Sequence, residues 1–282
     1  MRISSSPTLS NKNKNNNNNN NNDQNMGANN AALTGVTPRI AIFDYGAGNL
    51  FSLKAALERN GARDVSVIQD LKSLSNYDGL VLPGVGNFDP AVKSIGKDKG
   101  FLVSAIDCKI PVLGICLGME MLFNASEEGR MEGLKIIDGQ VRLLDKKRVK
   151  VPHMGWNNIQ LVRHKTSSEN SIKKRHHVSG NNNNNDNDTS DGRGRLLRNI
   201  KDNSWVYFVH SYRIFPGRKS RRIVIANTRY GDNIIPAVIE KGNIFGTQFH
   251  PEKSGPVGSQ IIRNFLEICM SITAVVDPTE NK

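Results

Sequence analysis

Two short segments of this chain carry residue types that perform nucleophilic chemistry. Gly114-Ile115-Cys116-Leu117-Gly118 follows the apolar run Pro111-Val112-Leu113 and opens the amphipathic stretch Met119 to Phe123. The pattern predicts a buried strand turning sharply into a helix, with Cys116 at the turn. Glycines at 114 and 118 leave room for a tight backbone and for the close approach of a substrate. A thiol at that place meets the positive end of the helix, which favours the thiolate. Far downstream, His250-Pro251-Glu252-Lys253 supplies an imidazole and a carboxylate two positions apart. On an extended segment these side chains point the same way, so that Glu252 orients His250 while His250 takes the proton of Cys116. A lone cysteine or histidine is more often structural. Their pairing here reads as an activated cysteine nucleophile.

The elements that must position these groups are legible as short apolar runs. Arg39-Ile40-Ala41-Ile42-Phe43-Asp44 predicts a strand, Gly46-Ala47-Gly48 a turn, and Leu50, Leu53, Ala56 and Leu57 a helical face. Further strands are expected at Val65–Ile68, Leu80–Leu82 and Val112–Ile115, with helices between them. Such alternation implies a doubly wound α/β fold, a largely parallel sheet covered by helices on both faces. Sites in such sheets lie at the carboxyl ends of strands. Asp44-Tyr45, Pro83-Gly84 and Cys116 all fall there. The final third adds strands at Val206–Val209, Ile223–Ala226, Pro236–Glu240 and Ile244–Phe249, extending the sheet that carries His250, and Ile261–Met270 reads as a closing helix.

Composition bounds the remaining possibilities. The 282 residues suffice for one large domain, and the 37% hydrophobic content is diluted by asparagine runs, so the folding part can bury a normal core. We read residues 1–37 as a low-complexity tail, 38–272 as the domain, 163–194 as a polar surface insertion and 273–282 as a C-terminal tail. His176-His177, inside that insertion, is expected to bind nothing. Three cysteines are too few for a disulfide scaffold and suit a reducing compartment, so a cytoplasmic location is expected, or a plastid if the basic, serine-rich start is a transit peptide. The longest apolar stretch, Ile110 to Phe123, carries Glu120 and is too short to cross a bilayer. The net charge of +12 is spread over separate clusters without interleaved aromatics, which argues against nucleic acid as a partner.

Six ordered motifs carry a resemblance. Gly114–Gly118 and Gln248-Phe249-His250-Pro251-Glu252-Lys253-Ser254 resemble the two signatures of the class I glutamine amidotransferases, a flavodoxin-like fold. Asp44-Tyr45-Gly46-Ala47-Gly48-Asn49, Pro83-Gly84-Val85-Gly86, Val151-Pro152-His153-Met154-Gly155-Trp156-Asn157 and Tyr207-Phe208-Val209-His210-Ser211-Tyr212 narrow this to the glutaminase component of imidazole glycerol phosphate synthase. The resemblance implies glutamine hydrolysis through a Cys116 thioester, without cofactor or metal. Ammonia then passes to a (βα)8 cyclase, a subunit or domain of the same synthase. It implies an oxyanion site at Gly84, Val85, Gly86 and Leu117, glutamine contacts from Glu120, Ser211 and Tyr212, and docking residues Asn49, His153, Trp156, Tyr207 and Lys253. Glu120 departs from the pattern: the family usually has Gln there, and a carboxylate on the same helix face as Cys116 tends to raise the thiol pKa. Two alternatives stay open at this point: an amidotransferase serving another pathway (anthranilate, carbamoyl phosphate or GMP synthesis), or a regulatory subunit without catalysis.

Overall fold

The computed structural model describes residues 37–46, 50–162 and 194–276. The tail 1–36, Ala47 to Asn49, the insertion with His176-His177, and residues beyond 276 lie outside them. Strands β1 (Arg39–Phe43), β2 (Asp64–Ile68), β3 (Gly79–Leu82) and β4 (Val112–Ile115) alternate with helices α1 (Phe51–Arg59), α2 (Phe88–Gly96) and α3 (Lys99–Asp107). After the short helix α4 (Leu117–Glu120) come β5 (Ala125–Ser126), β6 (Gly139–Leu143), β7 (His153–Leu161), β8 (Ser204–His210) and β9 (Tyr212–Pro216). The chain closes with β10 (Val224–Tyr230), β11 (Asn233–Lys241), β12 (Ile244–Thr247) and helix α5 (Gly255–Val276), which runs beyond the expected end at Met270.

Nine strands form one sheet in the order β2-β1-β3-β4-β12-β11-β10-β7-β8. From β2 to β12 the pairings are parallel; from β12 outward through β8 they are antiparallel. The sheet is therefore mixed, and only its first half is the doubly wound part. A second sheet, β5-β6-β9, was not legible as such in the apolar pattern.

Alternation along the strands explains the two-sided core. Ile40, Ile42, Val81, Leu113, Ile115 and Phe245 pack with Leu53 and Leu57 of α1 and Phe265 and Leu266 of α5. Ala41, Phe43, Leu80, Leu82 and Val112 face the other way, against Phe88, Val92 and Ile95 of α2, Leu102 of α3, and Val141 and Ile214 of the small sheet. Residues apolar at every position are what a sheet buried on both faces requires. Where β1, β3, β4 and β12 end, their chains deliver Tyr45, Pro83-Gly84, Cys116 and His250 to one edge.

Candidate active site

The backbone at Cys116 is sharply turned, with φ 45° and ψ −107°. For a residue other than glycine such a conformation costs roughly 1–3 kcal/mol and persists only where its surroundings enforce it. Here the Cys116 amide donates to Thr247 of β12 at 2.7 Å, and its carbonyl accepts from Met119 and Glu120, both at 3.0 Å. The flanking glycines are sterically required. A Cβ on Gly114 would lie 2.6 Å from the Met119 nitrogen, and one on Gly118 would overlap the Leu82 carbonyl oxygen.

The helix that follows is a single turn instead of the longer one expected through Phe123. The carbonyls of Met121, Leu122 and Phe123 are taken by amides of the returning segment Leu134 to Ile137, which ends the helical ladder. A turn this short offers little dipole. Burial, reinforced by Glu120 wherever that carboxyl is ionised, pushes the Cys116 thiol well above its ordinary range, against the lowering pull of the Leu117 amide and of Gln248. The expected thiolate is thus a thiol in this state, its Sγ 3.9 Å from the Val209 carbonyl.

His250 is locked through its main chain. Its amide donates to the Tyr207 carbonyl at 3.0 Å, and its carbonyl accepts from Ser254 Oγ at 2.7 Å. Pro251–Lys253 is a 3-10 turn and not the extended segment expected, yet His250 Nδ1 and Glu252 Oε1 meet at 2.8 Å. A carboxylate only accepts, so Nδ1 carries the hydrogen. Nε2 is buried without a hydrogen-bond partner among the described residues. A Cβ on Gly84 would lie 2.9 Å from His250 Cε1 and 3.0 Å from Cys116 Cβ, so ring and thiol flank the same glycine.

A cleft of about 220 Å³ opens beside the thiol, lined among others by Gly84, Gly86, Leu117, Glu120, Ser211 and Tyr212. All of these were singled out from the sequence. Val85 is half-buried, and its amide faces the Tyr45 hydroxyl, which itself donates to the Pro83 carbonyl. Four wall residues were missed. Pro152, Val209 and His210 carry no signal beyond their places in motifs, and Glu128 sits in a polar stretch with no periodicity to mark it.

Glu120 is 3% exposed and points inward, not to solvent. Its Oε1 accepts from Gln248 Nε2 at 2.8 Å. Burial, with the charge of Glu128 behind it, raises its carboxyl to about 8. At neutral pH the group is mostly a neutral acid that both donates and accepts, as the amide of Gln does.

The expected docking residues separate. Trp156 (53% exposed) packs edge-on against half-buried Tyr207, with exposed Lys253 on the turn that follows His250. His153 is not on this face. It is 3% exposed, its ring stacked between Phe208 and Tyr230, because β7 alternates and sends position 153 inward. Asn49 lies outside the described residues.

A family model, glutamine amidotransferase class-I, matches residues 41–269. The chain belongs to this family. The amidotransferase is 40% identical over 233 residues to the imidazole glycerol phosphate synthase subunit HisH of Synechococcus sp. (strain JA-3-3Ab), covering 81% of this chain and 93% of the relative. It is also 40% identical to HisH of Methanosarcina acetivorans, over 82% of this chain and 99% of that one. Among solved structures, the glutaminase domain of Trypanosoma brucei CTPS aligns with a TM-score of 0.54 at 17% identity, over 86% of the amidotransferase and 95% of that chain. PurLQS from Thermotoga maritima aligns at 0.53 and 18% identity, over 82% and 99%. At these identities the two structures speak for the fold. Among the described residues of the amidotransferase, no helix is long and apolar enough to cross a membrane.

Proposed function

We propose that this amidotransferase is the glutaminase of imidazole glycerol phosphate synthase in histidine biosynthesis, with Cys116 as nucleophile, His250 as acid and base, and Glu252 as the group that orients His250. Cys116 Sγ attacks the side-chain amide carbon of glutamine while its proton passes to His250 Nε2. His250 returns that proton to the leaving nitrogen, so ammonia departs and a thioester remains. Water then attacks, giving up a proton to His250, and glutamate leaves with the thiol restored. The observation that carries the assignment is the open, buried Nε2 of a ring already held at Nδ1 by Glu252, beside the same glycine as the thiol.

The cleft walls suit an amino-acid substrate. Glu128 lines it as a carboxylate for the substrate ammonium, and Ser211 and Tyr212 line it as well. Ammonia must leave without meeting water, where it would be protonated. We therefore read the Trp156, Tyr207 and Lys253 face as the seat of a (βα)8 cyclase. An electrophilic glutamine analogue should label Cys116 and leave Cys108 and Cys269 unmodified. Labelling elsewhere, or none with the cyclase present, would overturn the reading.

A further inference from the structure

A buried histidine pair lies between the exposed face of β7 and the substrate cleft. His153 and His210 are register partners across β7 and β8, 3% and 5% exposed. His210 Nδ1 is 2.6 Å from the Tyr212 carbonyl, which can only accept, so Nδ1 carries the hydrogen. His210 Nε2 is then the acceptor for His153 Nδ1 at 3.0 Å. His153 Nε2 accepts in turn from Asn157 Nδ2 at 3.3 Å, and the same nitrogen donates to the Arg229 carbonyl at 3.0 Å. Every link from Asn157 to Tyr212 donates in one direction. Reversing either ring sets N–H against N–H, or a lone pair against a carbonyl.

The chain of bonds works only with both rings neutral, and burial provides for that, holding His153 at about 4 and His210 at about 3. Its far end matters most. The His210–Tyr212 bond spans the corner where the chain leaves the nine-stranded sheet for the three-stranded one. Val209, whose carbonyl faces the Cys116 thiol, and Ser211 and Tyr212 of the cleft wall belong to that corner.

We propose that His153 is a positioning residue of the glutamine cleft: its Nδ1–H orients His210, which holds the Tyr212 carbonyl and so sets the Ser211–Tyr212 wall of the cleft that Cys116 also lines. The proposal rests on the glutaminase reading above. It differs from a docking role, because His153 lies beneath that face, and from a purely structural role, because it assigns the effect to one donor atom.

Two substitutions separate these roles. His153→Phe keeps a ring between Phe208 and Tyr230 and removes the donor. His153→Asn loses the stacking and keeps a donor nitrogen near the place of Nδ1. Glutamine hydrolysis by the full chain with the cyclase supplied, and glutamine binding in a Cys116→Ala background, are the readouts. His153→Phe should raise the glutamine KM and Kd about tenfold with kcat changed less than about twofold. His153→Asn should recover most of that loss while melting lower than His153→Phe. A KM that ranks the variants by their stability instead, or that stays unchanged in His153→Phe, would overturn the proposal. An unsubstituted protein that neither binds nor hydrolyses glutamine would overturn the glutaminase reading, and this proposal with it.

Discussion

Glu120 and Gln248, 128 positions apart in the chain, share a hydrogen bond of 2.8 Å beside the Cys116 thiol, and the same Gln248 nitrogen lies 3.6 Å from Cys116 Sγ. The departure from the family pattern is thus built into the site. A neutral Glu120 serves in place of an amide. An ionised one works against the thiolate.

The pH dependence of Glu120→Gln follows from this pair. Below about pH 8 Glu120 is largely protonated, so the two proteins should differ in kcat/KM by less than about threefold at pH 7. Above that, ionised Glu120 holds the thiol up, and by pH 9 the Gln protein should lead by about tenfold. Steady-state kinetics from pH 6 to 9 check this, and parallel profiles would refute it.

The same substitution should change stability with an unusual sign. The native state keeps a proton on Glu120 that the unfolded chain releases, so stability falls as pH rises from the ordinary carboxyl value of 4.5 to about 8. Glu120→Gln removes that loss. Its melting temperature should exceed the unsubstituted protein's at pH 8 by at least about 2–4 °C, the shift 1 kcal/mol produces in a domain of this size. The gap should close near pH 5.

Stability on the acid side should report the histidine pair. Both rings have lowered values, so the native state resists protons that the unfolded chain takes up. Their contribution is complete above about pH 6.5 and declines toward pH 4, by up to about 1.4 kcal/mol per pH unit for each ring. His153→Phe should flatten that slope by one ring's share in denaturant titrations at pH 4.5, 5.5 and 6.5.

Cys116→Ala should abolish glutamine-dependent synthesis by the assembled enzyme and leave ammonia-dependent cyclisation by the partner intact. The substitution removes the proposed nucleophile and little volume from the site. Residual glutamine turnover above background would show that Cys116 is not the nucleophile.

Gly118→Ala should be among the most damaging small changes in the chain. Its Cβ would overlap the Leu82 carbonyl, main chain that the parallel sheet holds in place. A loss of about 3 kcal/mol or more is expected, measured as the shift in denaturation midpoint. A loss under about 1 kcal/mol would mean that the elbow relaxes.

The sequence by itself determined the glycine-flanked turn at Cys116, the alternation that lays strands and helices down in order, and the strand ends where the candidate site collects. Each depends on residues a few positions apart, through steric limits on the backbone and the period of apolar side chains. The tertiary structure alone decided the rest. Alternation along β7 sets His153 on the side away from Trp156, but that this side is the buried one turns on Phe208 and Tyr230 packing against its ring. The length of the helix after Cys116 turns on Leu134 to Ile137 capturing its carbonyls. The antiparallel half of the sheet and the corner at Tyr212 come from pairings the apolar pattern does not encode. Most telling is Glu120, whose type was plain and whose charge was not. A carboxyl takes its protonation state from burial and from neighbours such as Gln248 and Glu128, and those arrive only when the chain closes on itself.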